Sequence, residues 1–196
     1  MIGFHIATFA YFFIAFTIYA WYATNGKGIV VFWKNILAPA AMALCSGSSN
    51  ATLPINIEAA HNMGIPDDIS GIVLPIGATV HMEGSCLGGI LKIAFLFGIY
   101  GIPFAGIKTM LVAVAVSILC GVVLSGVPGG GFIGEALIIS MYGFPPEAFP
   151  IVATISMLID PAATMVNAAG DTCSALIISK FVDGRDWFEK AMGARV

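Results

Sequence analysis

The chain has 196 residues, of which 59% are apolar and 10% are Asp, Glu, Lys or Arg, with a net charge of −3 and a mean hydropathy of +0.96. An ordinary soluble domain carries roughly 25% charged residues, so this composition excludes a water-soluble enzyme and a disordered segment. The acidic balance also excludes a nucleic-acid partner, since no basic field is present to attract phosphates. The composition predicts an all-α integral membrane protein in contact with the lipid bilayer.

The first segment, residues 1–26, contains no Asp, Glu, Lys or Arg and is predicted to form one transmembrane helix of about 20 residues. Lys27 and Lys34 follow at once, and the positive-inside rule places their loop in the cytoplasm. Further basic residues after position 179 predict a cytoplasmic location for the C-terminal tail, residues 183–196.

Two apolar segments are interrupted by Gly, Pro and Ser. The first lies within residues 27–62 and reads Ser-Gly-Ser-Ser-Asn at 46–50. The second lies within residues 102–147 and reads Ser-Gly-Val-Pro-Gly-Gly-Gly at 125–131. Backbone groups freed by Gly and Pro must find partners in protein or water, so each segment is predicted to be a re-entrant helical hairpin.

Each hairpin precedes a transmembrane helix with polar residues, predicted over residues 63–101 and 148–182. The first of these helices is expected to be unwound at His81–Ser85, where Gly84 interrupts it. Because that helix crosses the bilayer, the second hairpin enters from the opposite face, and the two repeats have inverted topology. Paired interrupted segments of this kind indicate the binding site of a transporter.

The helix over 148–182 carries a polar stripe. At about 100° per residue its polar side chains fall within an arc of roughly 80°; they are Ser156, Asp160, Thr164, Asn167, Asp171 and Ser174. A carboxylate in the bilayer centre costs about 2.5–3.5 kcal/mol, so the stripe predicts a path for a ligand or a hard cation. The alternative is a structural polar seam between helices. Lys92 and Lys108 are expected to extend to the membrane interface.

Four motifs resemble those of the dicarboxylate/amino acid:cation symporter family, which includes the glutamate transporters. They are Ser48-Ser49-Asn50-Ala51-Thr52-Leu53-Pro54, His81-Met82-Glu83-Gly84-Ser85, Val127-Pro128-Gly129-Gly130-Gly131 and the polar stripe from Asp160 to Asp171. The resemblance covers nearly the whole chain. It implies the C-terminal, transport-domain part of an elevator-type secondary symporter, with the second hairpin as its gate.

The resemblance also implies residue roles. Asp160 would pair with the substrate ammonium, and Ser49, Asn167 and the backbone of the second hairpin would hold its α-carboxylate. The implied substrate-binding set is Ser48, Ser49, Asn50, Ser85, Val127, Pro128, Gly129, Gly131, Asp160, Ala163, Thr164 and Asn167. The implied Na⁺ ligands are His81, Met82, Glu83, Asn167 and Asp171.

The sequence departs from the family at several of these positions. His81 and Glu83 stand where the family has Asn and Asp, which leaves H⁺ as an alternative coupling ion. Ala163 replaces the family's substrate-binding Arg, and Gly47 stands at the alternative Arg position. A neutral amino acid is therefore expected in preference to an acidic amino acid or a dicarboxylate.

The scaffold helices that form the homotrimer of full-length members have no counterpart here, so the resemblance predicts a truncated or split product. The expected location is the cell (inner) membrane, as a multi-pass protein. Three alternatives stay open: a proton-coupled transporter of dicarboxylates or acidic amino acids, a passive channel, and a non-transporting fragment.

Overall fold

The chain forms a bundle of helices, and the computed structural model describes residues 2–124 and 130–193. Within those ranges the helices are α1 Ile2–Ala23, α2 Ile29–Ser46, α3 Ser49–Asn62, α4 Asp67–Val80, α5 Glu83–Ile99, α6 Ile107–Leu124, α7 Gly130–Tyr142, α8 Ala148–Asp183 and α9 Trp187–Gly193. By length and composition, the stretches apolar enough to cross a membrane are Ile2–Ala23, Ile29–Ser46, Asp67–Ile99 and Ala148–Asp183.

Helix α1 shows how the bundle is arranged. Its buried side chains recur every third or fourth residue, as one face of a helix requires; they are Phe4, Thr8, Phe12, Phe16, Ala20 and Ala23. This face packs against α8. Large apolar side chains on the other faces, such as Ile6 at 65% and Ile14 at 63% exposure, stay uncovered by protein. An apolar outer surface suits hydrocarbon surroundings.

Several helices are joined by short breaks. A two-residue turn, Gly47–Ser48, separates α2 from α3, and the two helices pack together. Between α4 and α5 the helix is broken only at His81 and Met82. The unwound segment is thus shorter than the predicted His81–Ser85, because Gly84 already lies in the first turn of α5.

Helix α8 is the centre of the bundle. It packs against α1 to α5, α7 and α9, and every residue from 162 to 173 is buried. Most side chains in this stretch are small, which lets neighbouring helices approach closely. Two hydrogen bonds of Asn56 join α3 to α8: it donates to the Ala168 carbonyl at 2.8 Å and accepts from the Thr172 hydroxyl at 3.1 Å.

The C-terminal segment folds back onto the bundle. Trp187 and Phe188 of α9 are buried in the core around α1 and α8, and the Trp187 indole donates to the Ala23 carbonyl at 3.0 Å. Lys27 forms an ion pair with Glu189. The loop after α1 and helix α9 therefore lie at the same end of the molecule, and the described part of the predicted tail, residues 183–193, packs on the bundle.

Candidate functional site

A cavity of about 400 Å³ lies where the α2–α3 turn, the α4–α5 break and the middle of α8 meet. Its lining residues are Gly47, Ser48, Ser49, Asn50, Ala78, Met82, Ser85, Asp160, Thr164 and Asn167. Most of the described residues that the sequence assigned to substrate binding therefore surround one space. The volume falls within the range usual for small-molecule sites, about 300–1,000 Å³.

The α2–α3 turn forms one wall of this main cavity. Gly47 ends α2 in the left-handed conformation, with φ +61° and ψ +24°, which a glycine adopts without steric cost. Ser48 is the N-cap residue just before α3, and its hydroxyl accepts a hydrogen bond from the Ala51 N–H at 3.2 Å. A Cβ atom added at Gly47 would lie 3.4 Å from the Asp160 carboxylate, so the turn sits directly against Asp160.

Asn167 joins α8 to the start of α5. Its Oδ1 accepts from the Gly84 N–H at 2.8 Å and from the Ser85 N–H at 3.3 Å. Its Nδ2 donates to the Ser85 hydroxyl at 3.0 Å and to the Met82 sulfur at 3.4 Å. Met82, the residue before α5, supplies no side-chain cap, so the amide of Asn167 satisfies N–H groups that a helix start leaves free.

The predicted cation ligands gather one turn further along α8. Asp171 is 1% exposed, and its Oδ1 lies 3.2 Å from His81 Nδ1. The other ring nitrogen, Nε2, is 4.0 Å from Glu83 Oε2. The Tyr11 hydroxyl donates to the same Glu83 oxygen at 2.6 Å. His81 thus lies between two carboxylates, and α1 contributes a polar contact.

Tyr11 was not among the residues that sequence reasoning selected. It is one of several aromatic residues in an apolar helix, and nothing in its spacing distinguishes it from its neighbours. The half-buried Glu83 carboxylate that it contacts lies on another helix, 72 positions along the chain. Only the packing of α1 against the α4–α5 break reveals the pair.

A second cavity of about 120 Å³ adjoins the first and shares Ser85 and Asp160 with it. Its lining residues are Ser85, Gly88, Lys92, Gly131, Ser156, Ile159, Asp160 and Ala163. Ala163, expected at the main cavity, thus lines the second one instead. Gly131 lies here as well, while Val127, Pro128 and Gly129 fall outside the described residues.

The expectation that Lys92 extends to the membrane interface is wrong. Its side chain is 8% exposed, and its ammonium donates to the Ser156 hydroxyl at 3.0 Å. Lys92 follows Gly84 and Gly88 at intervals of four, and so lies on the α5 face that packs against α8. The glycines repeated at intervals of four were the sequence feature that indicated a close approach of α5 to another helix.

Glu135 is a further buried acid that the sequence left without a role. It lies on α7, is 1% exposed, and its Oε2 has no hydrogen-bond partner among the described residues. Its charge and that of Asp160 both act on Lys92. The buried side chains of Lys92 and Glu135 and the exposed Asp160 carboxylate therefore lie close enough to interact electrostatically.

A helical bundle with an apolar outer surface, a carboxylate lining a small cavity and further carboxylates buried in its interior has the features of a membrane transporter. The sodium:dicarboxylate symporter family matches residues 1–181, and the chain belongs to this family. The resemblance inferred from the motifs is thus confirmed. Members are transporters, so the chain is an integral membrane protein of a transporter family and not an enzyme.

Individual relatives are amino acid transporters. The neutral amino acid transporter B(0) of Oryctolagus cuniculus is 33% identical over 155 residues, which cover 78% of this chain and 28% of that protein. The human neutral amino acid transporter A is 35% identical over 150 residues, covering 75% and 28%. An excitatory amino acid transporter of Caenorhabditis elegans is 27% identical over 158 residues, covering 80% and 31%. The chain spans less than a third of the length of these relatives.

Proposed function

We propose that the chain forms the substrate- and ion-binding part of a secondary symporter that moves a small amino acid across the membrane together with Na⁺. The observation that carries this proposal is the main cavity, where Asp160, Asn167 and the serines of the α2–α3 turn meet. A substrate ammonium would pair with the Asp160 carboxylate. Its α-carboxylate would accept from Ser49 and from Asn167 Nδ2, whose contact with the Met82 sulfur is weak enough to be replaced.

Asp171 is the proposed anionic ligand of Na⁺, since this ion prefers hard oxygen ligands, as other hard cations do. Backbone carbonyls near His81 and Met82, with that of Asn167, would complete its coordination. The ion would separate the Asp171 carboxylate from the His81 ring, now 3.2 Å away. We also propose that the side chains of His81 and Glu83 contribute to the coordination of Na⁺.

The remaining architecture is proposed from the helix pairs. We assign α2–α3 and α6–α7 as the two re-entrant hairpins with inverted topology, and α6–α7 as the extracellular gate of an elevator-type transport domain. The proposed location is the cell membrane with the C-terminus in the cytoplasm. Association into a homotrimer would depend on scaffold helices of the kind found in full-length relatives.

The sequence predicted a substrate with a neutral side chain. This preference was inferred because Ala163 and Gly47 replace arginines and no basic residue was expected near the site. Lys92 lines the second cavity together with Asp160, so a basic group does lie near the proposed site.

The test of ion coupling is Asp171→Asn, which keeps the shape of the side chain and removes its charge. Amino acid binding by the purified full chain in lipid nanodiscs would be titrated by calorimetry with Na⁺ or with choline. We expect the variant to weaken Na⁺-dependent binding about 10-fold or more, as loss of a charged contact does. The matched control is Asp183→Asn, an exposed carboxylate on the same helix.

Binding that does not depend on Na⁺ in the unmutated chain would contradict the sodium assignment. In that case uptake into liposomes that follows an imposed pH gradient would identify H⁺ as the coupling ion. Uptake that depends on neither an imposed Na⁺ gradient nor an imposed pH gradient would instead support a passive channel.

A further inference from the structure

Among the residues that the structure describes, none places an anion in contact with the buried Lys92 ammonium. Within the described ranges its hydrogen bond is the one to the neutral Ser156 hydroxyl, and no carboxylate lies within 4.0 Å of it. An ammonium has three N–H donors. A charge in the membrane interior is costly without a partner. An anionic hydrogen-bond acceptor that reached Lys92 would therefore be bound favourably.

Neither of the two nearby acids, Glu135 and Asp160, forms a direct ion pair with Lys92. Glu135 and Asp160 act on Lys92 from beyond ion-pair distance. They offset part of the electrostatic cost of its burial. Asp160 also borders the main cavity, where the proposed function gives it the substrate ammonium. Lys92 lines the second cavity, so a ligand group that enters this cavity can contact its ammonium directly.

The second cavity has the size and position of a side-chain pocket. Its volume of about 120 Å³ holds about four water-sized groups, which suits the end of a short side chain and not a second amino acid. It adjoins the main cavity, with which it shares the lining residues Ser85 and Asp160. A substrate whose ammonium contacts Asp160 can therefore extend its side chain toward Lys92.

We infer that the second cavity is the side-chain subsite and that Lys92 is its specificity-determining residue, selecting a short side chain that ends in a carboxylate. The inference rests on the proposed function. Charge-assisted hydrogen bonds from an ammonium to a carboxylate are about twice as strong as neutral ones. An uncharged side chain leaves Lys92 without an anion in contact, and a cationic one is repelled. The expected substrate is an acidic amino acid, contrary to the expectation from Ala163.

The experiment compares ligands that differ only in charge. Calorimetric affinities of aspartate, asparagine and alanine would be measured on the full chain in nanodiscs with Na⁺. We expect aspartate to bind at least about 10-fold more tightly than asparagine, its uncharged isostere. Lys92→Met should reduce that ratio about 10- to 100-fold. Lys108→Met removes an exposed lysine from α6 and should leave the ratio unchanged.

A second variant keeps the lysine in place. Ser156→Asp puts a carboxylate where Lys92 now has its hydroxyl partner, so the new ion pair should occupy the ammonium and lower the aspartate preference. Ser156→Asn adds similar bulk without charge and should keep most of the preference. This pair stays informative if Lys92→Met does not fold.

The outcomes separate the two proposals. If the unmutated chain binds none of the three amino acids, the proposed function is wrong. If it binds them without preferring aspartate, or if Lys92→Met and Ser156→Asp keep the preference, only the subsite assignment is wrong. A purely structural Lys92 would give equal losses of stability in Lys92→Met and Glu135→Gln, recovery in the double variant and an unchanged ratio, which also overturns the inference.

Discussion

Replacing Gly84 by alanine tests a close approach between the backbones of α5 and α8 in the site. A Cβ atom there would overlap the carbonyl oxygen of Ala163 and lie 2.9 Å from its C and Cα atoms. All three are backbone atoms of α8, which cannot rotate away as a flexible side chain can. The start of α5 would have to move outward, and the 2.8 Å hydrogen bond from Gly84 to Asn167 would weaken.

The expected cost follows from these two effects. Overpacking costs about 1–3 kcal/mol and a lost hydrogen bond about 1 kcal/mol, so we expect the free energy of unfolding to fall by about 2–4 kcal/mol. Reversible unfolding in mixed micelles, followed by circular dichroism, measures this difference. Substrate affinity should fall as well, since Ser85 and Met82 border the main cavity.

Gly98→Ala is the matched control in the same helix. A Cβ atom at Gly98 meets nothing within 4 Å, and alanine is the better helix former by up to about 1 kcal/mol. We therefore expect this variant to be neutral or slightly stabilising. Equal effects of the two substitutions would refute the reasoning, because only Gly84 faces another backbone.

Two further predictions concern the arrangement of the helices. Cysteines placed at Lys27 and Arg185 in a cysteine-free chain should both react with an impermeant reagent from the cytoplasmic side, and labelling from opposite sides would contradict the shared end of the bundle. Asn56→Leu should lower the free energy of unfolding by about 2–4 kcal/mol, because two buried partners on α8 lose their hydrogen bonds. Asn62→Leu, exposed on the same helix, should change it by less than about 0.5 kcal/mol, and equal losses would refute that role of Asn56.

Much of the architecture could be predicted because membrane helices obey local rules. A polar backbone in lipid must satisfy its own hydrogen bonds, so apolar runs predict helices and clusters of Gly, Pro and Ser predict breaks. The turn at Gly47–Ser48 follows from this rule. The spacing of Asp160, Thr164 and Asn167 likewise places them on one face of a helix, and all three line the main cavity.

The extent of the α4–α5 break was less predictable. Gly84 suggested that the helix is unwound at this position, because a glycine destabilises an isolated helix. In the bundle, the amide of Asn167 accepts the Gly84 and Ser85 N–H groups, so the helix can begin at Glu83. A partner that lies more than 80 positions away along the chain decides where α5 starts.

The sequence by itself determined the membrane class, the family and the positions of the helices, because composition, hydropathy and motif order are local properties of the chain. Only the tertiary structure decided where the charged side chains point. Lys92 has a side chain long enough to reach either the interface or the interior, and the glycine face of α5 against α8 turns it inward. Tyr11 reaches Glu83 for the same reason: the packing of helices distant in sequence brings them together. In a low-dielectric interior such contacts govern which charges a ligand meets, and they depend on how the helices pack.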